Sequence, residues 1–232
     1  GILLGLISFF SGWIWYVSLP ITSVAANTTI YQSASVFVYL FSIPALNEPV
    51  TLRKAMSVVV SLVGVGLIAF APKDGESTAG HNSTVMGYVW TFVTTILYSV
   101  WEVSFKVLGP EEEESTLVED SCFIFGLTGL ANIVLIWPGL FIVDAVGYEA
   151  FQLPPHKDLN LLIVNGLMDA VFNVLLVLGI ALTSPLFVTC GTMLAIPASI
   201  LWDYVAHGTH LAPASVAGVV LVALGFVLLN TG

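Results

Sequence analysis

Charge is scarce in this sequence. Of its 232 residues 9% are Asp, Glu, Lys or Arg, and Lys and Arg together number five. A water-soluble domain carries about 25% charged residues because much of its surface must be wetted. This chain cannot coat a globule in that way, which excludes the soluble classes. Five basic residues cannot build a patch that follows a phosphate backbone, so nucleic acid is excluded as a partner. Cysteine is almost absent. Cys122 and Cys190 fall in separate apolar stretches and make neither a disulfide framework nor a thiolate metal site. His81, His156, His207 and His210 lie in or beside loops. His207 and His210 are three apart but lack a third ligand, so no metal and no cofactor is expected.

What remains is apolar. Hydrophobic residues make up 57% of the chain, and the mean hydropathy is +0.99. Lipid must therefore be the solvent for most of it. The net charge of −10 does not contradict this, because the acids gather in loops, notably Glu111, Glu112, Glu113 and Glu114. A solvated acidic run is the plain reading.

A spanning helix needs about 20 apolar residues. Eight runs qualify: Gly1–Pro20, Val24–Ile43, Leu52–Ala71, Met86–Leu108, Ser121–Val143, Leu161–Leu182, Pro185–Val205 and Pro213–Asn230. Helix is the expected state, since lipid cannot satisfy free backbone groups. Continuous runs without period-two alternation exclude an outer-membrane barrel. The first run is too long for a signal-peptide core and has no basic flank. It reads as a spanning helix at the cut end of a fragment. Pro185 and Pro213 stand at helix first turns, where the missing N–H costs nothing. Pro44 and Pro49 bracket a loop holding Asn47 and Glu48. Pro138 and Pro197 fall within spans and predict kinks. Arg53, Lys54 and Lys106 lie on the face of the chain ends, Lys73 and Lys157 on the other, which leans toward cytoplasmic termini. Asn82-Ser83-Thr84 is a glycosylation sequon on the opposite face.

Displacing the chain on itself by 161 residues aligns Ile2, Gly5 and Leu6 with Ile163, Gly166 and Leu167. Thr22-Ser23 meets Thr183-Ser184, Thr28 meets Thr189, and Val58-Val59 meets Val219-Val220. Gly64 meets Gly225, and Leu67 meets Leu228. Spans one to three thus match spans six to eight, five helices later. An odd offset reverses direction through the membrane, the signature of inverted-repeat transporters. The expected organisation is residues 1–71 as the last three helices of a truncated first repeat, 72–85 as a polar loop, and 86–232 as a complete five-helix repeat. Gly218 and Gly225, with Ser57 and Gly64, offer small faces for close helix contact.

An ionisable side chain at mid-bilayer costs roughly 2.5–3.5 kcal/mol on insertion scales, so each one needs a reason. Asn165, Asp169 and Asn173 recur every fourth residue and share one face of the sixth span. They form either a solute or proton site, or a set of interhelical hydrogen bonds with a neutral acid. Glu102 and Lys106 stand four apart in the fourth span, either as an ion pair along the helix or as part of a transport site. Asp203 near the end of the seventh span, and Asn27, Tyr31 and Gln32 in the second, complete the candidates. Thr189 and Thr192 are the approximate counterparts of that second-span set.

The residues now show a resemblance. Thr22-Ser23-Val24-Ala25-Ala26-Asn27-Thr28-Thr29-Ile30-Tyr31-Gln32-Ser33 and Leu46-Asn47-Glu48-Pro49-Val50-Thr51 resemble the F branch of solute carrier family 35. So do Phe123–Leu130 with Trp137-Pro138-Gly139, Asn165-Gly166-Leu167, Leu182-Thr183-Ser184-Pro185-Leu186, and Ile196-Pro197-Ala198-Ser199 with Asp203. That branch, with the fungal thiamine-repressible transporter-like proteins, belongs to the drug/metabolite transporter superfamily with its paired EamA-type repeats. The resemblance covers nearly the whole chain. It implies a ten-helix all-α fold, of which about eight helices are present, with alternating access and cytoplasmic termini. It also implies an endomembrane address of Golgi or vacuole type. Many relatives carry an acid near the position of Asn173, where this chain places Asp169 one turn earlier.

The leading expectation is a secondary transporter of a small polar solute, with a proton or counter-substrate as co-partner. A non-transporting membrane partner, receptor or chaperone-like, stands as the alternative. An intramembrane aspartyl protease built on Asp169 and Asp203 is the remote third, since neither acid has Tyr-Asp or Gly-x-Gly-Asp surroundings. An anionic nucleotide sugar would call for basic groups in the cavity, and Lys106 is the span residue that could serve.

Overall fold

The computed structural model describes residues 2–70, 84–109, 117–145, 147, 155–207 and 212–231. Among these residues every regular element is helical. The helices are α1 (Ile2–Ser18), α2 (Val24–Gln32), α3 (Ala34–Leu46), α4 (Leu52–Ala69), α5 (Val85–Leu108), α6 (Leu117–Ala145), α7 (His156–Leu182), α8 (Pro185–Thr192), α9 (Ala195–His207) and α10 (Pro213–Asn230). A 3-10 turn, Leu19–Ile21, continues α1. With α2 and α3 counted as one span, and α8 and α9 as another, seven spans are long and apolar enough to cross a membrane. The chain is therefore a multi-pass helical bundle. The eighth rod, α5, is long enough at 24 residues, about 36 Å. It is less apolar than the other seven, and its buried faces carry Thr91, Thr94, Thr95, Ser99 and Glu102.

Two expected spans are interrupted, and at matching places. The first break falls at Ser33, between α2 and α3, and the second at Met193-Leu194, between α8 and α9. The second has a direct cause. Pro197 has no N–H to give the Met193 carbonyl, and its ring would press on it. Ile196 donates to Met193 instead, in a tighter turn. The kink expected at Pro197 is thus a break just upstream. The break at Ser33 has no proline. There the Ser33 hydroxyl donates to the Ile30 carbonyl at 2.5 Å, a back-bond that bends helices. Hydroxyls of α5 lie alongside: Thr95 is 3.4 Å from the Ile30 carbonyl oxygen and Ser99 3.2 Å from that of Ala34, while each lies closer to a carbonyl of α5, at 2.7 and 2.8 Å, and has one hydrogen to share. The loop expected from Pro44 begins later, at Asn47. Pro44 is accommodated in the last turn of α3, and Asn47 caps the helix with φ of 51°, a left-handed conformation that Asn tolerates. Pro138 lies inside α6.

The starts of α2 and α8 also correspond. Ser23 is extended and accepts the Ala26 N–H at 3.3 Å. Ser184, 161 residues on, is extended and accepts the Phe187 N–H at 3.2 Å. Each cap is worth about 1 kcal/mol.

Helix α5 runs through the centre, against α1, α2, α3, α7 and α8. Leu4, Trp101, Phe105, Leu176, Val177 and Ile180 pack on one side of it, and Val38, Tyr39, Val58, Val103, Leu186 and Cys190 on another. The most extensive pairing is α4 against α10. A Cβ added to Gly64 would lie 2.7 Å from the Gly218 carbonyl oxygen, and one added to Gly218 would lie 2.6 Å from that of Gly64. Gly225 meets Ser57 and Ser61 in the same manner. These contacts pair up under the 161-residue displacement. Gly64 against Gly218 maps onto Gly225 against Ser57, and Gly64 against Val222 onto Gly225 against Ser61. A self-complementary, two-fold interface has this property.

Candidate functional site

The buried polar groups of the bundle collect along α5. Positions 91, 95, 98, 99 and 102 fall on one face at three- and four-residue spacing. The face meets α2 at one end and α8 at the other.

At the α2 end stands Asn27, 4% exposed. Its amide nitrogen lies 3.0 Å from each of the hydroxyl oxygens of Ser18, Thr22 and Thr91, so its two hydrogens are shared among three acceptors. All three hydroxyls have their own hydrogens committed elsewhere. Ser18 donates to the Trp15 carbonyl at 2.7 Å, Thr22 to that of Ser18 at 2.7 Å, and Thr91 to that of Gly87 at 2.9 Å. Their lone pairs can only accept, and the amide supplies the hydrogens. Asn27 therefore ties α1, α2 and α5 together. Asn27→Asp would face three acceptors with nothing to donate, and a buried unpaired carboxylate costs more than an unmet neutral group. The expected loss is at least about 3 kcal/mol, visible as a collapsed melting temperature of the purified protein. An unchanged melting temperature would show that the network does not hold the helices.

At the α8 end stands Glu102, fully buried. One carboxyl oxygen accepts from the Tyr98 hydroxyl at 3.0 Å, the other from the Thr189 hydroxyl at 2.6 Å. Thr189 also lies 2.7 Å from the Pro185 carbonyl oxygen. Its single hydrogen serves one of these two acceptors at a time. The ion pair with Lys106 does not form. Lys106 reaches the other way and donates to the Ala181 carbonyl at 2.7 Å, near the end of α7, where a cation complements the helix dipole. Lys54 pairs with Glu48, tying the α3–α4 loop to the start of α4.

An aromatic line leads to the carboxyl. Trp15 and Tyr31 have ring centres 6.2 Å apart, Tyr31 and Tyr98 5.2 Å, and Tyr98 and Trp101 6.2 Å. Trp15, Tyr31 and Tyr98 are partly exposed, while Trp101 and Glu102 are sealed behind them. Gln32 is partly exposed beside Tyr31, and its carbonyl accepts from Ser35.

The stripe on α7 lies elsewhere. Asn165 and Asp169 are exposed, Asn173 half-buried, and the Asn173 amide donates to the Asp169 carbonyl of its own helix at 2.8 Å. Gly166, beside them, has no heavy atom within 4 Å of its added Cβ position. Its counterpart Gly5 on α1 is covered by Thr128 and Ala131 of α6, and the counterpart of Asp169, Ser8, accepts from Asn132. Asp203 falls in α9, its side chain outside the described residues, as are Lys73, His81, Asn82, His210 and the acidic run at 111–114. Among the described residues no cluster of metal-ligating side chains occurs.

Reading the sequence missed Tyr98, Thr91 and Trp15. The first two were legible as the three- and four-residue recurrence leading to Glu102. Trp15 was not, because its approach to Tyr31 is tertiary.

No protein-family profile matches the chain. Curated proteins do. Solute carrier family 35 member F5 of Macaca fascicularis is 30% identical over 97% of this chain and 52% of its own length. The chain is a homologue of the F-type solute carriers. The thiamine-repressible mitochondrial transport protein of Saccharomyces cerevisiae is 26% identical, covering 94% of this chain and 60% of its own. An uncharacterized vacuolar membrane protein of the same yeast is 26% identical, covering 92% and 56%. The chain thus spans about half the length of the curated relatives it matches. A solved crystal structure superposes with a TM-score of 0.74 over 98% of this chain and 75% of its own, at 14% identity, and shows the fold alone. Those two relatives are named for mitochondrial and vacuolar membranes, and the seven spans make this solute-carrier homologue an integral, multi-pass membrane protein.

Proposed function

We propose that the chain is the larger part of a secondary transporter that moves a small polar solute by alternating access. The carrying observation is the Glu102 carboxyl, fully buried at the centre of the bundle and held by hydroxyls from its own helix and from α8. A bilayer-depth acid with an aromatic approach is a solute or ion site by default. Names of carriers among the relatives support transport and speak against an enzyme. A small-molecule solute follows from the same names, with a proton or counter-substrate as coupling partner.

The organisation we propose is a paired EamA-type repeat, with 1–71 in the first, 72–85 as a loop and 86–232 as the second. Matching helix breaks, matching serine caps and the paired contacts of α4 with α10 support it. Helices broken near mid-membrane flank solute sites in other transporters built this way. Ser33 and Leu194 would be the flexing points around a fixed α5.

Asp169 stands, in this reading, on a face that a further helix covers in the longer protein, as α6 covers the equivalent face of α1. Asp169→Asn should insert and fold yet lower uptake about tenfold, the weight of one hydrogen bond to a charged group. Normal uptake by the variant would remove Asp169 from the pathway. The reading as a whole is tested by reconstituting the full-length protein in proteoliposomes and screening solutes of each charge class, with and without a pH gradient. Saturable uptake of one solute is the expected result. Folded protein that carries none would leave a non-transporting membrane partner.

A further inference from the structure

We propose that α2 is a gate: it parts from α5 while its first turn stays bonded to the end of α1, and α1 and α5 move as one piece. This gate rests on the carrier reading and supplies a moving part for alternating access.

Three polar contacts that join α5 to α2 and α3 can be broken without stranding a hydrogen. The Asn27 amide has two hydrogens and three acceptors, and two of these, Ser18 and Thr22, belong to the end of α1 and the turn after it. When Thr91 of α5 withdraws, both hydrogens still have a partner. The Thr91 hydroxyl keeps its own bond to the Gly87 carbonyl at 2.9 Å. Thr95 is 3.4 Å from the Ile30 carbonyl oxygen but 2.7 Å from that of Thr91 in its own helix. The Ile30 carbonyl is served without it, by the Ser33 N–H at 3.1 Å and the Ser33 hydroxyl at 2.5 Å. Ser99 repeats the pattern, 3.2 Å from the Ala34 carbonyl oxygen and 2.8 Å from that of Thr95. Breaking a hydrogen bond costs most where a buried group is left unmet, and none of these donors is.

The junction of α1 with α5 is built the other way. The Thr94 hydroxyl finds its partners on Ser11 of α1, the carbonyl oxygen at 2.5 Å and the hydroxyl at 3.2 Å, and among the described residues it has no bond to its own helix. The Thr84 N–H donates to the Ile21 carbonyl at 3.0 Å. A Cβ added to Gly87 would lie 2.5 Å from that same carbonyl oxygen, so the backbones are in contact. Parting α1 from α5 would strand the Thr94 donor and open a close-packed seam. The rod α2 is nine residues long, bounded by the Ser23 cap and the break at Ser33, so it can turn without carrying α1 along. Its remaining hold on α5 includes ring against ring, Tyr31 on Tyr98 at 5.2 Å, a contact with no hydrogen to lose.

Pairs of nitroxide labels on the full-length protein in lipid nanodiscs report the motion, with the other cysteines replaced by alanine. Labels on Tyr16→Cys and Val89→Cys, exposed positions of α1 and α5, should give one distance. Labels on Gln32→Cys, a partly exposed position of α2, and Val89→Cys should give two. Thr91→Val removes the acceptor on α5 and leaves two amide hydrogens for two acceptors. It should melt like the wild type and raise the ratio of the longer to the shorter distance about threefold, the weight of a weak hydrogen bond. Thr94→Val should lower the melting temperature and leave that ratio unchanged. A single distance between Gln32 and Val89 overturns the gate, as does a ratio that Thr91→Val does not move. So does a distance between Tyr16 and Val89 that changes along with the other, or a ratio that Thr94→Val raises as much as Thr91→Val. Counterflow in proteoliposomes keeps the gate and the carrier apart. A solute carried by protein whose α2 and α5 labels hold one distance sinks the gate and leaves the carrier. Two distances that respond to Thr91→Val, with no solute carried under any gradient, leave the motion and sink the carrier.

Discussion

Glu102→Gln is expected to fold like the wild type and to stop net uptake. The amide has nearly the shape of the carboxyl. Its oxygen can accept from Tyr98, and its N–H can donate to Thr189, whose own hydrogen then goes to the Pro185 carbonyl at 2.7 Å. Every polar atom of the cluster keeps a partner, so the stability change should stay within about 1 kcal/mol. What disappears is charge and the capacity to exchange a proton. The charge is not replaced from Lys106, which points to the end of α7, and the group bonded to the carboxyl on its own helix is the Tyr98 hydroxyl. Uptake should fall at least about 100-fold, some 2.7 kcal/mol at 1.36 kcal/mol per decade. The pair of readouts matters. Glu102→Leu would strand the Tyr98 and Thr189 hydroxyls, so its inactivity would not distinguish a site from a scaffold. Uptake by Glu102→Gln close to that of the wild type would reduce the cluster to a packing feature, and a collapsed melting temperature would show that the carboxylate holds the bundle.

The spans were legible because lipid permits one answer: long apolar runs must be helices. Their ends were legible where chemistry marks them, as at Ser184-Pro185 and Thr51-Leu52. Inside the spans the reading weakened. Pro197 announced a kink, but a proline shows where a helix fails, not that Met193-Leu194 would part it in two. The break at Ser33 carries no proline, and the α5 hydroxyls that lie beside it come from more than sixty residues away. Helix α5 itself illustrates the limit most directly. Its threonines lower its hydropathy, and in sequence it reads as one apolar span among eight. In the fold they face its neighbours, Thr94 bonding to Ser11 of α1 and Thr91 accepting from Asn27 of α2. The α7 stripe is the converse. Spacing put Asn165, Asp169 and Asn173 on one face, yet spacing says nothing about what covers that face, and among the described residues nothing does at Gly166. Asn27 and Glu102 were equally visible as polar residues in spans. Only their partners separate a tie rod with every hydrogen committed from an acid that ends an aromatic line.

The α4–α10 crossing should tolerate almost no added volume, and Gly64→Val should prevent assembly. In lipid no hydrophobic force draws two apolar helices together, so association depends on backbones packing closely. Here the first atoms a side chain would meet are backbone: the Gly218 carbonyl oxygen at 2.7 Å and the Val222 nitrogen at 2.8 Å from a Cβ. Backbone cannot rotate away as a side-chain end can, so the two helices must separate along their length. Overpacking in a core costs about 1–3 kcal/mol, and losing the bundle's largest helix pair should place Gly64→Val at or beyond the upper end. Gly66, two residues on in the same helix, has no heavy atom within 4 Å of its added Cβ position. Gly66→Ala should be neutral or stabilise by roughly 0.5–1 kcal/mol, the helix preference of Ala over Gly. Melting of the two variants in detergent, followed by size-exclusion fluorescence, compares them on one helix. The paired contacts add a sharper demand. Gly225 faces Ser57 and Ser61 as Gly64 faces Gly218 and Val222, so Gly225→Val should fail to the same extent as Gly64→Val. A large difference between those two variants would mean that the crossing is two unrelated contacts rather than one interface counted from both sides. Equal melting of Gly64→Val and Gly66→Ala would mean that close approach does not hold the bundle at all.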